Sequence, residues 1–135
     1  MILDEVVRLY KNISFDMDGV ICEDPQKDIS CFENYIDHVK NAKLKFLPPF
    51  KIKYIVTGRR NSLRNETEIW LKRNNVKYKT LIMNPLVFDN VYEYKANIYR
   101  NLDSDLFIES DAVQAEQIAK LSEKLVYCTE NNKMY

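Results

Sequence analysis

Two aspartates stand one residue apart, directly after an apolar run, in the segment ISFDMDGVICED at 13–24. Neighbouring carboxylates repel each other, and each raises the pKa of the other. Asp16 and Asp18 therefore need compensation from a metal ion, from a catalytic role that divides their protonation states, or from solvation at a turn.

Other polar groups lie close to later apolar runs. Thr57-Gly58-Arg59 follows KIKYIV, and Glu109-Ser110-Asp111 follows DLFI. Lys95 precedes the second of these runs, in a short helical pattern. If the runs are parallel strands, their carboxyl ends meet at one edge of the sheet, where open α/β sheets bind ligands. We therefore expect these groups to converge.

The chemistry of the converging groups favours phosphoryl transfer. Asp16 and Asp111 could share a hard divalent cation, most plausibly Mg²⁺, which binds one or two carboxylates together with a substrate phosphate. Asp16 could attack phosphorus, while Asp18 protonates the leaving alkoxide and later activates water. Thr57 could hold phosphate oxygens, and Lys95 could supply a fixed positive charge.

The residues after Thr57 could also contact substrate. Gly58 would let the backbone approach a phosphate closely. Arg59 and Arg60 could bind a remote phosphate of the substrate, although a solvated pair of arginines is the alternative. The predicted phosphate-binding set is thus Thr57, Gly58, Arg59 and Lys95.

The elements that must position these residues alternate along the chain. Short apolar runs predict five buried strands, at 13–15, 52–56, 80–83, 106–108 and 125–128. Helical spacing appears between them, around 32–39, 61–73, 94–101 and 112–121, with Asp111 as the N-cap of the last helix. This alternation predicts an α/β fold, a Rossmann-like, doubly wound and mainly parallel sheet of about five strands.

These motifs together resemble the haloacid dehalogenase (HAD) superfamily of aspartyl-nucleophile phosphohydrolases. The resemblance is carried by DMDGV, VTGR, a later lysine and an acidic strand end, in that order over residues 13–111. It implies Asp16 as nucleophile, Asp18 as acid/base, Thr57 and Lys95 on the phosphate side, and Mg²⁺ bound by Asp16, Asp111 and the backbone carbonyl of Asp18. The segments ICEDP and FIESD look more narrowly like small HAD domains found near phosphoribosyltransferase-type proteins.

The chain also departs from that family pattern. The family usually offers two aspartates after the late strand, whereas this chain has Glu109-Ser110-Asp111, so either acid or both could bind the metal. About thirty residues separate Asp24 from Thr57, which leaves no room for a folded cap domain. We therefore expect an open site, which favours a large phosphoester substrate or closure by a partner subunit over a sealed small molecule.

Composition bounds the remaining possibilities. The chain of 135 residues predicts one domain, 1–135, and its net charge of zero gives no sign of a nucleic-acid or membrane partner. Three cysteines without CxxC spacing, and no apolar stretch long enough to span a bilayer, favour a cytoplasmic protein. An uncapped site makes a homodimer plausible.

Less specific interpretations accompany each functional one. Thr57 could simply end a strand, Lys95 could be a solvated helix lysine, and Asp111 could be only an N-cap. His38 is predicted to be an ordinary exposed helix residue without a role. The segment 1–12 is predicted to be an amphipathic helix that packs on this core or on a neighbour, and the tail 130–135 is predicted to be frayed.

Three other functions compete with phosphatase activity. The same site could serve a phosphotransferase, or a phosphoprotein phosphatase. A non-catalytic domain could keep the scaffold and bind a phosphate-containing ligand. A receiver domain shares an acidic pocket, a threonine and a lysine, but it would not carry both aspartates in a DxDG segment after the first strand.

Overall fold

The protein is an open six-stranded sheet with helices on both faces. The structure, a computed structural model, describes residues 2–86 and 90–135. The strands are β1 Ile13–Phe15, β2 Ile52–Arg60, β3 Tyr78–Asn84, β4 Leu106–Glu109, β5 Val126–Cys128 and β6 Lys133–Met134. The helices are α1 Leu3–Leu9, α2 Phe32–Asn41, α3 Arg64–Arg73, α4 Val91–Arg100 and α5 Ala112–Ser122, with a 3-10 turn at Asn61–Leu63.

The strand order is β3-β2-β1-β4-β5-β6, so β1 lies inside the sheet between β2 and β4. The first five strands in this order pair in parallel, and β6 pairs antiparallel with β5. The α/β class and the mainly parallel sheet are confirmed. The predicted number of five strands is wrong, because β6 adds a sixth.

The tail that carries β6 was predicted to be frayed, and this prediction is also wrong. The backbone of Tyr135 exchanges two hydrogen bonds with that of Val126, at 2.7 and 3.1 Å. The strand β6 consists of only two residues, Lys133 and Met134, and both are exposed. Such a short strand has no alternation of apolar and polar residues by which the sequence could predict it.

Two apolar cores lie on the two faces of the sheet. One contains Val6 and Val7 of α1 and Trp70 of α3, packed with Phe15 and Ile55. The other contains Tyr99 of α4 and Ile118 of α5, packed with Val56 and Phe107. Neighbouring strand residues such as Ile55 and Val56 enter different cores because successive side chains of a strand point to opposite faces. The helix α1 therefore packs on its own chain.

The segment between β1 and β2 contains one helix, α2, and two short β-bridges, at Asp18–Cys22 and Cys22–Leu44. The helix α2 lies against α3, where the indole nitrogen of Trp70 donates a hydrogen bond of 2.7 Å to the carbonyl of Ala42. Among the described residues, no helix combines the length and the apolar character that a membrane span would require.

Candidate functional site

Asp16 is the first residue after β1, and its carboxylate is almost fully buried. Its backbone N–H still donates to the carbonyl of Ile108 at 3.0 Å, so the sheet holds Asp16 in position. The Nζ atom of Lys95, from α4, lies 3.2 Å from Asp16 Oδ2 and 2.9 Å from Glu109 Oε1. Lys95 also donates to Gln114 Oε1 at 2.9 Å. The lysine is 3% exposed, so it is not the solvated helix residue of the alternative interpretation.

Two buried carboxylates, those of Asp16 and Glu109, share one buried amine, that of Lys95. Burial and the charge of Glu109 raise the pKa of Asp16 well above its ordinary value, and Lys95 offsets this only in part. Burial alone would lower the pKa of Lys95, but Asp16 and Glu109 raise it above its ordinary value. Lys95 is therefore protonated here, and its single positive charge cannot balance Asp16 and Glu109 when both carboxylates are ionised.

Asp18 faces different partners. Arg59 binds its carboxylate with two hydrogen bonds, from Nε at 3.0 Å and from Nη2 at 2.8 Å. The ring nitrogen Nε2 of His38 lies 2.6 Å from Asp18 Oδ1. Burial alone would raise the pKa of Asp18, but the charge of Arg59 and the hydrogen bonds from His38 and Arg59 hold it well below its usual range. The pKa values of Asp16 and Asp18 are thus shifted in opposite directions, which is what two carboxylates with different roles in catalysis require.

Arg59 reaches Asp18 because β2 continues beyond the predicted end at Val56. The strand runs to Arg60, which pairs with Asn84, and its register with β3 is irregular between Val56 and Arg60. Within this irregular stretch the hydroxyl of Thr57 accepts a hydrogen bond of 3.1 Å from the backbone N–H of Arg59. Arg59 is 2% exposed, so it is not solvated, and the proposed contact with a phosphate stays a prediction.

The sequence indicates no role for His38 and predicts that it is an exposed helix residue. The predicted exposure is wrong. Its side chain is 8% exposed and contacts Asp18. The signal in the sequence is weak: His38 lies one helical turn after Tyr35, and both residues line the same cavity. Only the position of α2 relative to β1 reveals the contact.

Thr57 and Gly58 directly follow the predicted end of β2, and in the structure each makes a contact with the protein itself. Thr57 is 1% exposed, and its hydroxyl is engaged by Arg59. A Cβ atom on Gly58 would lie 2.7 Å from Cγ1 of Val91, in the first turn of α4. Gly58 therefore permits close packing of α4, and its predicted approach to a phosphate stays a prediction.

The acidic end of β4 divides its carboxylates between two tasks. Glu109 is fully buried and uses both oxygens, one for Lys95 and one for the backbone N–H of Ser110, at 3.0 Å. Asp111 is exposed, and its Oδ1 atom caps α5 by accepting from the N–H of Gln114 at 2.9 Å. The hydroxyl of Ser110 donates to the backbone carbonyl of Asp18 at 3.3 Å, which joins β4 to the turn after β1.

These groups surround one cavity of about 290 Å³ at the carboxyl ends of β1, β2 and β4. Its lining includes the predicted site residues Asp16, Asp18, Gly58, Arg59, Lys95, Glu109 and Asp111. Thr57 lies behind this surface, in contact with Arg59. The structure thus brings residues of all the predicted segments together at one sheet edge, with Thr57 outside the cavity lining, and His38 and Gln114 join them.

The site contains two sets of side chains with metal-ligating atoms. Asp18, Cys22 and His38 offer ligand atoms within 4.8 Å of one another. The Nη2 atom of Arg59 already lies between them, 2.8 Å from Asp18 Oδ1 and 3.5 Å from Cys22 Sγ. A cation there would meet the guanidinium charge, so this set does not fit a metal ion.

The second set consists of oxygen atoms that follow β1 and end β4. It includes the carboxylates of Asp16, Glu109 and Asp111, which line the cavity, and the backbone carbonyl of Asp18. Oxygen donors with an excess of negative charge suit Mg²⁺. The set fits the predicted cofactor in its donor chemistry, although among the described residues its three carboxylates are not gathered within 4.8 Å of one another.

Comparison with known proteins does not identify the chain. No family model, no curated protein and no solved structure matches it. The resemblance to the HAD superfamily therefore rests on the motif residues and remains a prediction.

Proposed function

We propose that this protein is a Mg²⁺-dependent phosphatase that hydrolyses a phosphomonoester through an aspartyl-phosphate on Asp16. One observation carries the proposal: a buried carboxylate at a strand end, 3.2 Å from a buried lysine, opens onto a cavity lined by further carboxylates. The strand order β3-β2-β1-β4-β5 supports the Rossmann-like part of the proposal, because it is the order of the doubly wound nucleotide-binding folds.

Asp16 is the proposed nucleophile. One of its carboxylate oxygens would form a bond to phosphorus while the bond between phosphorus and the ester oxygen breaks, which releases an alkoxide that takes up a proton from Asp18 or from solvent; the water of the second step gives that proton back. Water would then attack the same phosphorus atom, break its bond to the carboxylate and regenerate Asp16. Lys95 lies on Oδ2 of Asp16 and would offset the charge of the phosphoryl group during both steps.

Asp16, the carbonyl of Asp18, and Glu109 or Asp111 would hold the magnesium ion. When bound, Mg²⁺ supplies positive charge that stabilises the transferring phosphoryl group and polarises its oxygens. The negative charge that Lys95 leaves uncompensated around Asp16 supports this assignment. Such a charge also needs to be balanced before Asp16, whose pKa is raised, can act as an ionised nucleophile at neutral pH.

The contacts of Asp18 favour a second candidate, a phosphate-ligand-binding or regulatory domain without turnover. A carboxylate held ionised by Arg59 and His38 is a poor proton donor to a leaving alkoxide.

The same contacts predict a preference among substrates. The leaving group of an aryl phosphate is a phenolate, which needs protonation far less than an alkoxide does. If Asp18 keeps these contacts during the reaction, aryl phosphates will be hydrolysed faster than alkyl phosphates.

The decisive experiment measures phosphate release from alkyl and aryl phosphomonoesters, with Mg²⁺ and with a chelator. Wild type is compared with Asp16→Asn and with Asp4→Asn, which makes the same change of charge on the exposed first turn of α1. Phosphatase activity requires turnover that depends on Mg²⁺, is lost in Asp16→Asn and is retained in Asp4→Asn. Acid-quenched protein should also contain a phosphorylated peptide that includes Asp16.

Two other results lead elsewhere. A rate that rises with added alcohol acceptor indicates a phosphotransferase with the same site. A folded wild-type protein that binds Mg²⁺ and inorganic phosphate, but hydrolyses no ester, supports the binding domain and overturns the phosphatase.

A further inference from the structure

Part of the cavity wall is apolar and could only contact the organic part of a ligand. Four lining residues have apolar or aromatic side chains, Pro25 and Ile29 from the loop before α2, Tyr35 from α2 and Val91 from α4. Ile29 is 44% exposed, so this apolar wall reaches the mouth of the cavity. A phosphomonoester with its phosphoryl group at Asp16 and Lys95 would lay its leaving group along this wall.

The charges of the lining are strongly unequal. Among the described residues, five carboxylates line the cavity, those of Asp16, Asp18, Asp24, Glu109 and Asp111, against the cationic side chains of Arg59 and Lys95 and the imidazole of His38. Both cations are already paired, Arg59 with Asp18 and Lys95 with Asp16 and Glu109. A bound Mg²⁺ and the phosphoryl group would compensate each other. Among the described lining residues, Arg59 and Lys95 would then stay with their own carboxylates, and His38 already contacts Asp18, so none of the three is free for a second anionic group.

Asp24 extends the excess of negative charge to the mouth of the cavity. It is exposed, and within the described residues its carboxylate accepts no hydrogen bond. Its Oδ1 atom lies 2.8 Å from the position that a Cβ would take on Gly19, so the bare glycine turn lets Asp24 lie against it. Partial burial raises the pKa of Asp24; the charge of Lys45 opposes this rise, and the charges of Asp18 and Asp16 add to it. Asp24 lines the same cavity as Asp16 and Asp18. Lys27 and Lys43 line the adjoining groove of about 260 Å³ rather than this cavity.

We infer that the site accepts monophosphates whose leaving group is uncharged or cationic and has an apolar surface, and that Asp24 discriminates against leaving groups with a second anionic group. This inference rests on the proposed function for the position of the phosphoryl group. It excludes bisphosphates, phosphorylated carboxylic acids and the terminal phosphates of nucleic acids as good substrates.

The test uses three aryl phosphates of matched shape: 4-methylphenyl, 4-(carboxymethyl)phenyl and 4-(aminomethyl)phenyl phosphate. The methylene group insulates the phenol from each charge, so the leaving groups differ mainly in net charge. The three corresponding benzylphosphonates, which cannot be hydrolysed, are titrated into the protein with Mg²⁺ by calorimetry. Both series are measured on wild type, Asp24→Asn and Asp4→Asn.

In wild type we expect the neutral and cationic phosphates to exceed the carboxymethyl phosphate in kcat/KM by about tenfold, with the same ranking in phosphonate affinity. Asp24→Asn should narrow that ratio by about threefold, since an exposed charge is screened by solvent. Asp4→Asn should leave the ratio unchanged, because Asp4 lies on α1 and not in the cavity.

The two proposals fail in different ways. Efficient turnover of all three phosphates regardless of charge, or an unchanged ratio in Asp24→Asn, overturns the inference and leaves the phosphatase intact. Phosphonates that bind in the expected order without any turnover of the phosphates support the ligand class and overturn the phosphatase. A wild-type protein that neither binds the phosphonates nor hydrolyses the phosphates overturns both.

Discussion

The ionisation state of Asp18 depends on contacts with residues from other elements of the fold. Arg59 comes from β2 and His38 from α2, and both reach the same side chain after β1. Arg59 also donates to Thr67 Oγ1 of α3 at 3.3 Å, so its guanidinium is held from both ends. The rigid, planar fork of an arginine suits this geometry, and a lysine could not reproduce it.

We therefore expect Arg59→Lys to lower the free energy of unfolding by about 1–3 kcal/mol, because the second hydrogen bond from the buried guanidinium to half-buried Asp18 is lost while the charge is kept. Urea denaturation at neutral pH measures the change. Arg60→Lys, at the exposed neighbouring position, is the control and should stay within about 0.5 kcal/mol of wild type. Equal stabilities of both variants and wild type would contradict a stabilising role of the fork.

The pairing of Asp18 also predicts a dependence of stability on pH. Its pKa in the folded protein lies below the value of about 3.9 expected for the unfolded chain. The stabilisation is therefore complete above the unfolded pKa and is lost as the pH falls below about 4. Between pH 6 and pH 3, wild type should lose more unfolding free energy than Asp18→Asn. Parallel curves for the two proteins would show that Asp18 does not contribute.

The individual acids and the lysine were predictable from their positions after apolar runs, but their contacts were not. Nothing local in the sequence shows that Arg59 turns toward Asp18 or that His38 is buried against it. Both contacts depend on how α2 packs beside β1 and β2, which is a tertiary feature. The contact of Thr57 is local by comparison, because its hydroxyl accepts from the backbone N–H of Arg59 two residues later.

At the scale of elements, the junction between β2 and α4 depends on a missing side chain. Gly58 leaves space that Val91 Cγ1 fills, only 2.7 Å from where a Cβ would stand. We expect Gly58→Ala to destabilise the fold by about 1–3 kcal/mol through overpacking. Val91→Ala should remove the clash, so the double variant should be more stable than the sum of the two single effects predicts. Strict additivity in urea denaturation would argue against this contact.

Asp111 combines the cap of α5 with a predicted metal contact, and substitutions can separate the two. Asp111→Ala removes the acceptor for the N–H of Gln114 and should cost about 1 kcal/mol. Asp111→Asn keeps an oxygen acceptor and should retain most of the stability, yet it should raise the Mg²⁺ concentration needed for half-maximal activity. Thermal unfolding and a Mg²⁺ titration measure the two effects.

A matched cap serves as the comparison. Asn90 caps α4 by accepting from the N–H of Glu93 at 2.8 Å, outside the cavity lining. Asn90→Ala should therefore lower stability to a similar degree without changing the requirement for Mg²⁺. If Asp111→Asn leaves that requirement unchanged as well, Asp111 acts only as a cap.

Elements with a continuous apolar run were predicted well, and those without one were not. The predicted run 13–15 coincides with β1, which is buried throughout and carries one small polar residue, Ser14, paired with the hydroxyl of Ser104. The prediction ended β2 at Val56 because Thr57 to Arg60 are polar or small, although their backbone continues the ladder to Arg60. Asp111 as an N-cap is confirmed, because a capping residue before a periodic segment is a local signal.

At the scale of the whole molecule, α1 completes one of the two cores. Val6 is fully buried and Val7 is 4% exposed, whereas Leu9 is 64% exposed. We expect Val6→Ala to lower the free energy of unfolding by about 1–3 kcal/mol, because it leaves a cavity beneath the helix. Leu9→Ala is the control and should have little effect. If both variants unfold at the same urea concentration as wild type, α1 does not stabilise the sheet.

The overall class was predictable because alternating strand and helix patterns restrict the topology to few arrangements. The sixth strand was not, because a two-residue exposed strand depends on pairing with β5 rather than on its own composition. The strand order places Asp16 and Glu109 on adjacent strands, β1 and β4. That adjacency creates the excess of negative charge in the site.

The central position of β1 has a consequence for how the protein forms during synthesis. Asp18 contacts Ser110, which follows 92 residues later, and β1 pairs on one side with β4. A nascent chain that has emerged only as far as β3 would expose the apolar edge of β1 and an incomplete set of carboxylates. Such long-range parallel pairing slows folding, and it leaves an aggregation-prone edge unpaired until β4 emerges from the ribosome. The site and the centre of the sheet must therefore mature together.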